Sequence, residues 1–275
     1  MTHLINRILI FVVLAFFATG SFAEAGDSTY SFFGTLGDEF KACGNDAVFV
    51  GKEFMSIDRY DLSRFVGIAA VTALLMPFDE DIRSFFTRNK RPLPNSYLHV
   101  IDQFGNVIAG DVMAGSVFMY GMFADNPKFR TTGRLMFESM ALSGAVTMFF
   151  RITLGRSRPR LEKGAYDFEF FELSEMNNSF PSGHSAVSFA LASVLAERAD
   201  NIWASVGLYT LASSASIIRL YYDQHWATDL AVGAVIGTIS GKVIYKAYEA
   251  TESKPVATNY IIYPTADGLG FCYRF

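Results

Sequence analysis

The sequence predicts an all-α fold, a bundle of six core helices followed by a small C-terminal β-hairpin. Three observations lead there. Of the 275 residues 51% are hydrophobic and 15% aromatic, which suits one large domain with a sizeable core. Hydrophobic stretches recur near residues 65–78, 107–123, 135–150, 185–196, 202–218 and 230–245, separated by polar or Pro/Gly-bearing connections. The last residues change character and alternate aromatics in the manner of strands. No repeat of 20 to 50 residues interrupts the pattern.

In order along the chain, residues 1–23 read as a signal peptide, 24–58 as an N-terminal extension, 59–250 as the helical body and 251–275 as the hairpin tail. After Arg7 an uncharged run extends from Ile8 to Ala23, with small Ser21 and Ala23 where a signal peptidase reads and Glu24 beyond. Export to the periplasm or cell envelope is therefore expected. Pro92 and Pro94 break the helical pattern once and Asn126-Pro127 again. The charge-free intervals inside the body are short: Phe65–Phe78, Val112–Ala124, Ser139–Phe150 and Leu230–Gly241 are each closed by charged residues. All fall below the usual span length, and only Ile202–Ile218 approaches it. The expectation is an exported helical domain, soluble or peripheral to the membrane, with integral attachment as the alternative.

Leu161 to Phe180 forms a loop rich in aromatics and acids, expected to overhang the functional pocket. Asn259 to Phe275 reads as a hairpin, with Tyr260-Ile261-Ile262-Tyr263, a turn at Asp267-Gly268, and Phe271, Tyr273 and Phe275 alternating. The two cysteines, Cys43 and Cys272, are expected to pair, since export permits a disulfide.

Chemistry concentrates between residues 151 and 229. Arg151, Arg158 and Arg219 supply guanidinium forks suited to phosphate oxygens. Ser182 and Gly183 stand just before an apolar stretch, at the opening of a helix whose free N–H groups favour an anion. His184 and His225 can serve as acid, base or nucleophile near neutral pH. Asp229 follows His225 by four residues, expected on one helical face where its carboxylate orients the ring. Arg156 and Arg160 lie in the same basic stretch and are expected to face water. Histidine and carboxylate four apart can also ligate zinc, but no second His pair or close Cys pair accompanies them, so neither metal nor cofactor is expected. With 23 Lys plus Arg against 27 Asp plus Glu, the acidic balance argues against a nucleic-acid partner.

These segments resemble the type 2 phosphatidic acid phosphatase and vanadium haloperoxidase superfamily. Its signature reads Lys, six residues, Arg-Pro; then Pro-Ser-Gly-His; then Ser-Arg, five residues, His, three residues, Asp. This chain has Arg151, six residues, Arg158-Pro159; Pro181-Ser182-Gly183-His184; and Ile218-Arg219, five residues, His225, three residues, Asp229. Arg151 replaces the lysine and Ile218 the serine.

The resemblance implies a helical bundle of that type and makes 59–250 a catalytic domain. It implies that His225 attacks phosphorus to give a phosphohistidine, that Asp229 orients it and that His184 protonates the leaving oxygen. Arg151, Arg158, Ser182, Gly183 and Arg219 would hold the phosphate oxygens. The favoured activity is hydrolysis of a phosphomonoester or pyrophosphate of a lipid or polyprenyl chain at a membrane surface. The alternatives are a broad-specificity periplasmic acid phosphatase and a vanadate-dependent haloperoxidase; the leaving group and oligomeric state stay open.

Overall fold

The computed structural model describes residues 31–90, 95–171, 178–252, 260–265 and 268–273. The expected signal peptide lies outside them. Among the described residues the helices are α1 (Phe32–Met55), α2 (Arg59–Leu75), α3 (Asp79–Arg88), α4 (Asn95–Asp102), α5 (Val107–Phe123), α6 (Pro127–Leu154), α7 (Gly183–Ala199), α8 (Ile202–Tyr221) and α9 (Ala227–Glu252). The six hydrophobic stretches fall in α2 and α5 to α9. Helices α1, α3 and α4 were not anticipated, because their apolar residues are too scattered to form a continuous run.

Starts and stops follow local chemistry. Asn126 caps α6 through its side chain, with Pro127 in the first turn. Asn201 caps α8 and Ser182 caps α7. Gly155 ends α6 in the left-handed region at φ 56°, and a side chain there would collide with the Glu169 carbonyl.

Helix α7 is the centre of the core, buried from Ser185 to Ala196 apart from half-buried Phe189, and packed against α6, α8 and α9. Its closest neighbour is α9. Gly233, Gly237 and Gly241 recur every four residues on α9, and a methyl at each would collide with Ser182 O, Ala186 O or the Ser193 side chain. Small residues let two backbones approach. This contact brings the first turns of α7 and α9 together, and both carry site residues.

At the other end of the bundle α1 is tied down by charge. Arg134 Nε donates to Glu39 Oε2 at 2.9 Å, and its Nη1 donates to Glu138 Oε1 at 2.9 Å and to Asp46. Arg130 Nε adds a bond to Glu39 at 3.0 Å, and Thr251 Oγ1 bonds Asp46 at 2.9 Å. Cys43 lies beside Glu138, has no disulfide partner among the described residues, and has its thiol pKa raised chiefly by burial. The side chain of its expected partner, Cys272, lies outside the described residues.

Among the described residues three segments are long and apolar enough to cross a membrane: Arg59–Arg88, Pro127–Leu154 and Ala227–Thr251, with mean hydropathies of 1.3 to 1.4. The pair Leu98–Gly105 and Val107–Phe123 passes the same test together, bent by 74°. Short charge-free intervals pointed elsewhere, because helices run on through their charges: α6 carries Arg134 and Glu138 inside a buried ion cluster. Helix α2 has no buried residue, and Phe65, Val66, Val71 and Leu74 are exposed on it. Beyond α9, Tyr260–Thr265 and Gly268–Tyr273 pair antiparallel.

Candidate active site

Six of the residues singled out by the sequence line one cavity of about 240 Å³, five of them being Arg151, Arg158, Gly183, His184 and Arg219. His225 lines it too, with Gly105, Val107 and Gln224. The end of α6 supplies Arg151, the start of α7 supplies Gly183 and His184, the end of α8 supplies Arg219, and the turn before α9 supplies Gln224 and His225. Ser182 and Asp229 are fully buried behind this wall and do not line it.

Arg151 is pinned by a bond from Nε to the Pro181 carbonyl at 3.1 Å. A Cβ on Gly183 would lie 3.0 Å from its Nη2, so the bare backbone at the α7 start shares the cavity wall with this guanidinium. Arg158 Nη1 donates to Gln224 Oε1 at 2.7 Å. Ser182 Oγ accepts from Ser185 N–H at 3.4 Å, and its own N–H donates to the Asp229 carbonyl at 2.9 Å. Its side chain caps α7, and its backbone joins α7 to α9.

His225 and Asp229 do not share a helical face. Helix α9 begins at Ala227, so His225 precedes it and Asp229 stands in its first turn, where Oδ2 accepts the Trp226 N–H at 2.8 Å. His225 Nδ1 is 2.8 Å from the Ser179 carbonyl and 3.5 Å from Asp229 Oδ2. The nearer oxygen holds the proton: Nδ1–H donates to Ser179, and Nε2 keeps its lone pair. Ser179 Oγ in turn donates to Asp229, so the carboxylate reaches the ring mainly through Ser179. Burial lowers the His225 pKa from 6.5 to about 4, aided by Arg151 and Arg158 and opposed by Asp229. The ring is neutral at physiological pH.

His184 has a different environment. Nε2 lies 2.9 Å from the Asp102 carbonyl and 3.1 Å from Asp102 Oδ1, and these oxygens assign the proton to Nε2. Arg219 Nη1 is 3.1 Å from the same nitrogen and 3.3 Å from Asp102 Oδ1. A guanidinium and an imidazole therefore converge on one carboxylate, which no motif had flagged.

Arg156 overturns its expectation of facing water. It is fully buried, with Nε and Nη2 on the Ala165 carbonyl at 2.9 and 2.7 Å and Nη1 on Asp229 Oδ1 at 2.6 Å. Its guanidinium also lies over the Trp226 and Phe168 rings, 5.3 and 5.7 Å from their centroids. A charge with that many partners is stable out of water. Arg160 is exposed, as expected.

The loop after Arg158 also departs from expectation. Its described part supplies Ala165 and Phe168 to Arg156, turns Tyr166, Phe170 and Phe171 outward, and contributes no lining residue to the cavity. Phe168 and Phe170 stack with centroids 6.3 Å apart. Gln224 and Asp102 were missed in the sequence. Gln224 sits directly before His225 and so was within reach of the motif, whereas Asp102 is brought in only by tertiary folding.

Among the described residues no group of three or more His, Cys, Asp or Glu is arranged to hold a metal ion.

Residues 133–252 match the family model of the PAP2 superfamily. The chain is 31% identical over 131 residues to a lipid A 1-phosphatase of Porphyromonas gingivalis, an alignment covering 47% of this chain and 26% of that protein. It is 31% identical over 126 residues to a provisionally named undecaprenyl-diphosphatase of Escherichia coli, covering 42% and 61%. The chain thus spans less than two thirds of either relative. A transmembrane PAP2-type phosphatidylglycerolphosphate phosphatase from Bacillus subtilis, seen in its crystal structure, superposes with a TM-score of 0.50 over 71% of this chain and 98% of that one. At 15% identity, that likeness concerns the fold alone.

Proposed function

We propose, from the match of residues 133–252 to the PAP2 superfamily model, that the chain is a metal-independent phosphatase of lipid-linked phosphate, working through a phosphohistidine at His225. The observation that carries this reading is the meeting of His184, His225 and three arginines at one cavity. Arg151, Arg158 and Arg219, with the Gly183 N–H, grip the non-bridging oxygens and stabilise charge as it develops. The lone pair on His225 Nε2 forms a bond to phosphorus while the bond to the leaving oxygen breaks. His184 gives that oxygen a proton. Water then attacks phosphorus and returns a proton to His184, and inorganic phosphate leaves as His225 is regenerated. Ser182 serves by holding α7 in place, and Asp229 by fixing Ser179 and thereby the ring.

Two observations favour a lipid substrate. The relatives carry names for phosphatases of lipid A and of undecaprenyl diphosphate. The apolar helices, above all α2 with no buried residue, suit a bilayer better than water. Because α6 ends and α9 begins at the cavity, a bilayer-spanning bundle would hold it at one membrane surface, where lipid phosphate lies. We read the protein as integral to a membrane of the cell envelope.

The test is phosphate release from lipid A, polyprenyl diphosphate, phosphatidate and soluble phosphomonoesters. Lipid phosphates should be preferred, EDTA should leave turnover intact, and His225→Ala and His184→Ala should each cost at least about a hundredfold. Release that persists in both variants would remove the proposed roles. Retention of the protein in carbonate-washed membranes tests the integral reading.

A further inference from the structure

Asp79 opens α3, outside the 133–252 region, yet its side chain is fully buried against the start of α9. Oδ1 accepts the Thr228 N–H at 3.0 Å, and Oδ2 accepts from Thr228 Oγ1 at 2.5 Å and from Arg156 Nη2 at 2.8 Å. Arg156 Nη1 donates at once to Thr228 Oγ1 at 2.9 Å and to Asp229 Oδ1 at 2.6 Å. Asp79, Thr228 and Arg156 thus close a ring of hydrogen bonds whose outgoing member is Asp229. Asp229 Oδ2 holds the Trp226 N–H and Ser179 Oγ, and the Ser179 carbonyl holds His225 Nδ1.

Two further residues of α3 brace the same region. Arg83 meets Asp223 with two bonds of 2.8 Å, in the turn that carries Gln224 and His225. Glu80 Oε1 accepts the Ala165 N–H at 2.9 Å, beside the carbonyl that receives Arg156. A buried ion pair is weak evidence for stability, since apolar groups of like volume often do as well. What this ring supplies is one permitted orientation for each polar atom it contains.

We propose that Asp79 is a positioning residue for the reaction: through Arg156 and Thr228 it sets the rotamer of Asp229, and through Ser179 the orientation and tautomer of His225. The inference rests on the phosphatase reading above and deepens it. Asp79 touches no cavity atom, so its removal acts on the nucleophile's alignment and leaves the phosphate-gripping arginines as they are.

Asp79→Asn in the full-length protein tests this. The amide keeps an acceptor for the Thr228 N–H but can turn an N–H toward Arg156 in place of an oxygen. On a lipid phosphate, kcat should fall between about tenfold and a hundredfold, as expected for misalignment of a reacting group. KM and the half-inhibitory vanadate concentration should stay within about threefold. Thr228→Val should give the same pattern. ¹⁵N-histidine spectra, assigned with His225→Ala, should show His225 as the Nδ1–H tautomer in the native protein and as a mixture in Asp79→Asn. An unchanged kcat with an unchanged His225 signal overturns the proposal. So does a loss in which KM and vanadate inhibition deteriorate in step with kcat, or one reversed by assaying below a lowered melting temperature, because either is what a merely structural residue would give. A native protein that releases no phosphate defeats the phosphatase reading instead. The tautomer comparison then decides the role of Asp79 by itself.

Discussion

The ring of His184 occupies the space that a side chain at residue 105 would need: a Cβ on Gly105 would stand 2.5 Å from His184 Cδ2 and 2.8 Å from its carbonyl oxygen. Gly105 ends the short turn after α4, and Asp102, at the end of α4, receives His184 Nε2. One turn of chain therefore both orients the imidazole and makes room for it.

Gly105→Ala should accordingly displace His184 and lower kcat by about a hundredfold, the scale of a lost general acid. Gly144→Ala, at a site with nothing within 4 Å, is the matched control and should leave turnover unchanged. Steady-state kinetics on both variants checks this.

The depressed pKa of His225 has a sign that can be measured. Folded, the ring should stay neutral down to about pH 4, whereas in the unfolded chain it takes a proton near 6.5. The unfolded state then binds more protons across that interval, so this residue makes stability fall as pH drops from about 6.5 to 4, with no further loss below. The His225 resonance, identified by its disappearance in His225→Ala, should titrate with a midpoint near 4. A midpoint near 6.5 would mean that burial does not dominate.

Gly237→Ala places a methyl against the Ala186 carbonyl and should destabilise the protein by about 1–3 kcal/mol through overpacking of α7 on α9. Because that contact aligns the helix starts carrying His184 and Asp229, turnover should fall as well. Gly67→Ala, on the open surface of α2, should do neither. Thermal unfolding in detergent, with activity measured alongside, separates the two.

Arg134→Met removes the shared partner of Glu39, Asp46 and Glu138. Stranding buried carboxylates costs about 3–5 kcal/mol, so the melting temperature should drop sharply. The cluster sits near the opposite end of α6 from Arg151, some 25 Å away at 1.5 Å per residue. Molecules still folded should keep native kcat and KM.

The site was legible because its residues fall in three short motifs with characteristic spacing, and His184, His225, Arg151, Arg158, Arg219 and Gly183 do meet at one cavity. What spacing could not convey was the backbone between them. His225 and Asp229 are four apart, but a helix boundary falls between them, so the Ser179 carbonyl takes the place expected of the carboxylate. Arg156 and Asp79 look like surface charges in a linear chain, since their partners are supplied only by distant segments. The long helices were hidden for the same reason: charges that interrupt apolar runs, such as Arg134 in α6, are neutralised by partners on other helices.

The charge cluster at the foot of α6 bears on how the protein can be shortened. A recombinant form starting beyond Met55 would look harmless, because it spares every residue around the cavity. It would also strip Arg134 of Glu39 and Asp46, leaving Glu138 as its one remaining counter-charge in that cluster. Domain trimming guided by the motifs alone would therefore yield a protein with intact chemistry and a failing scaffold.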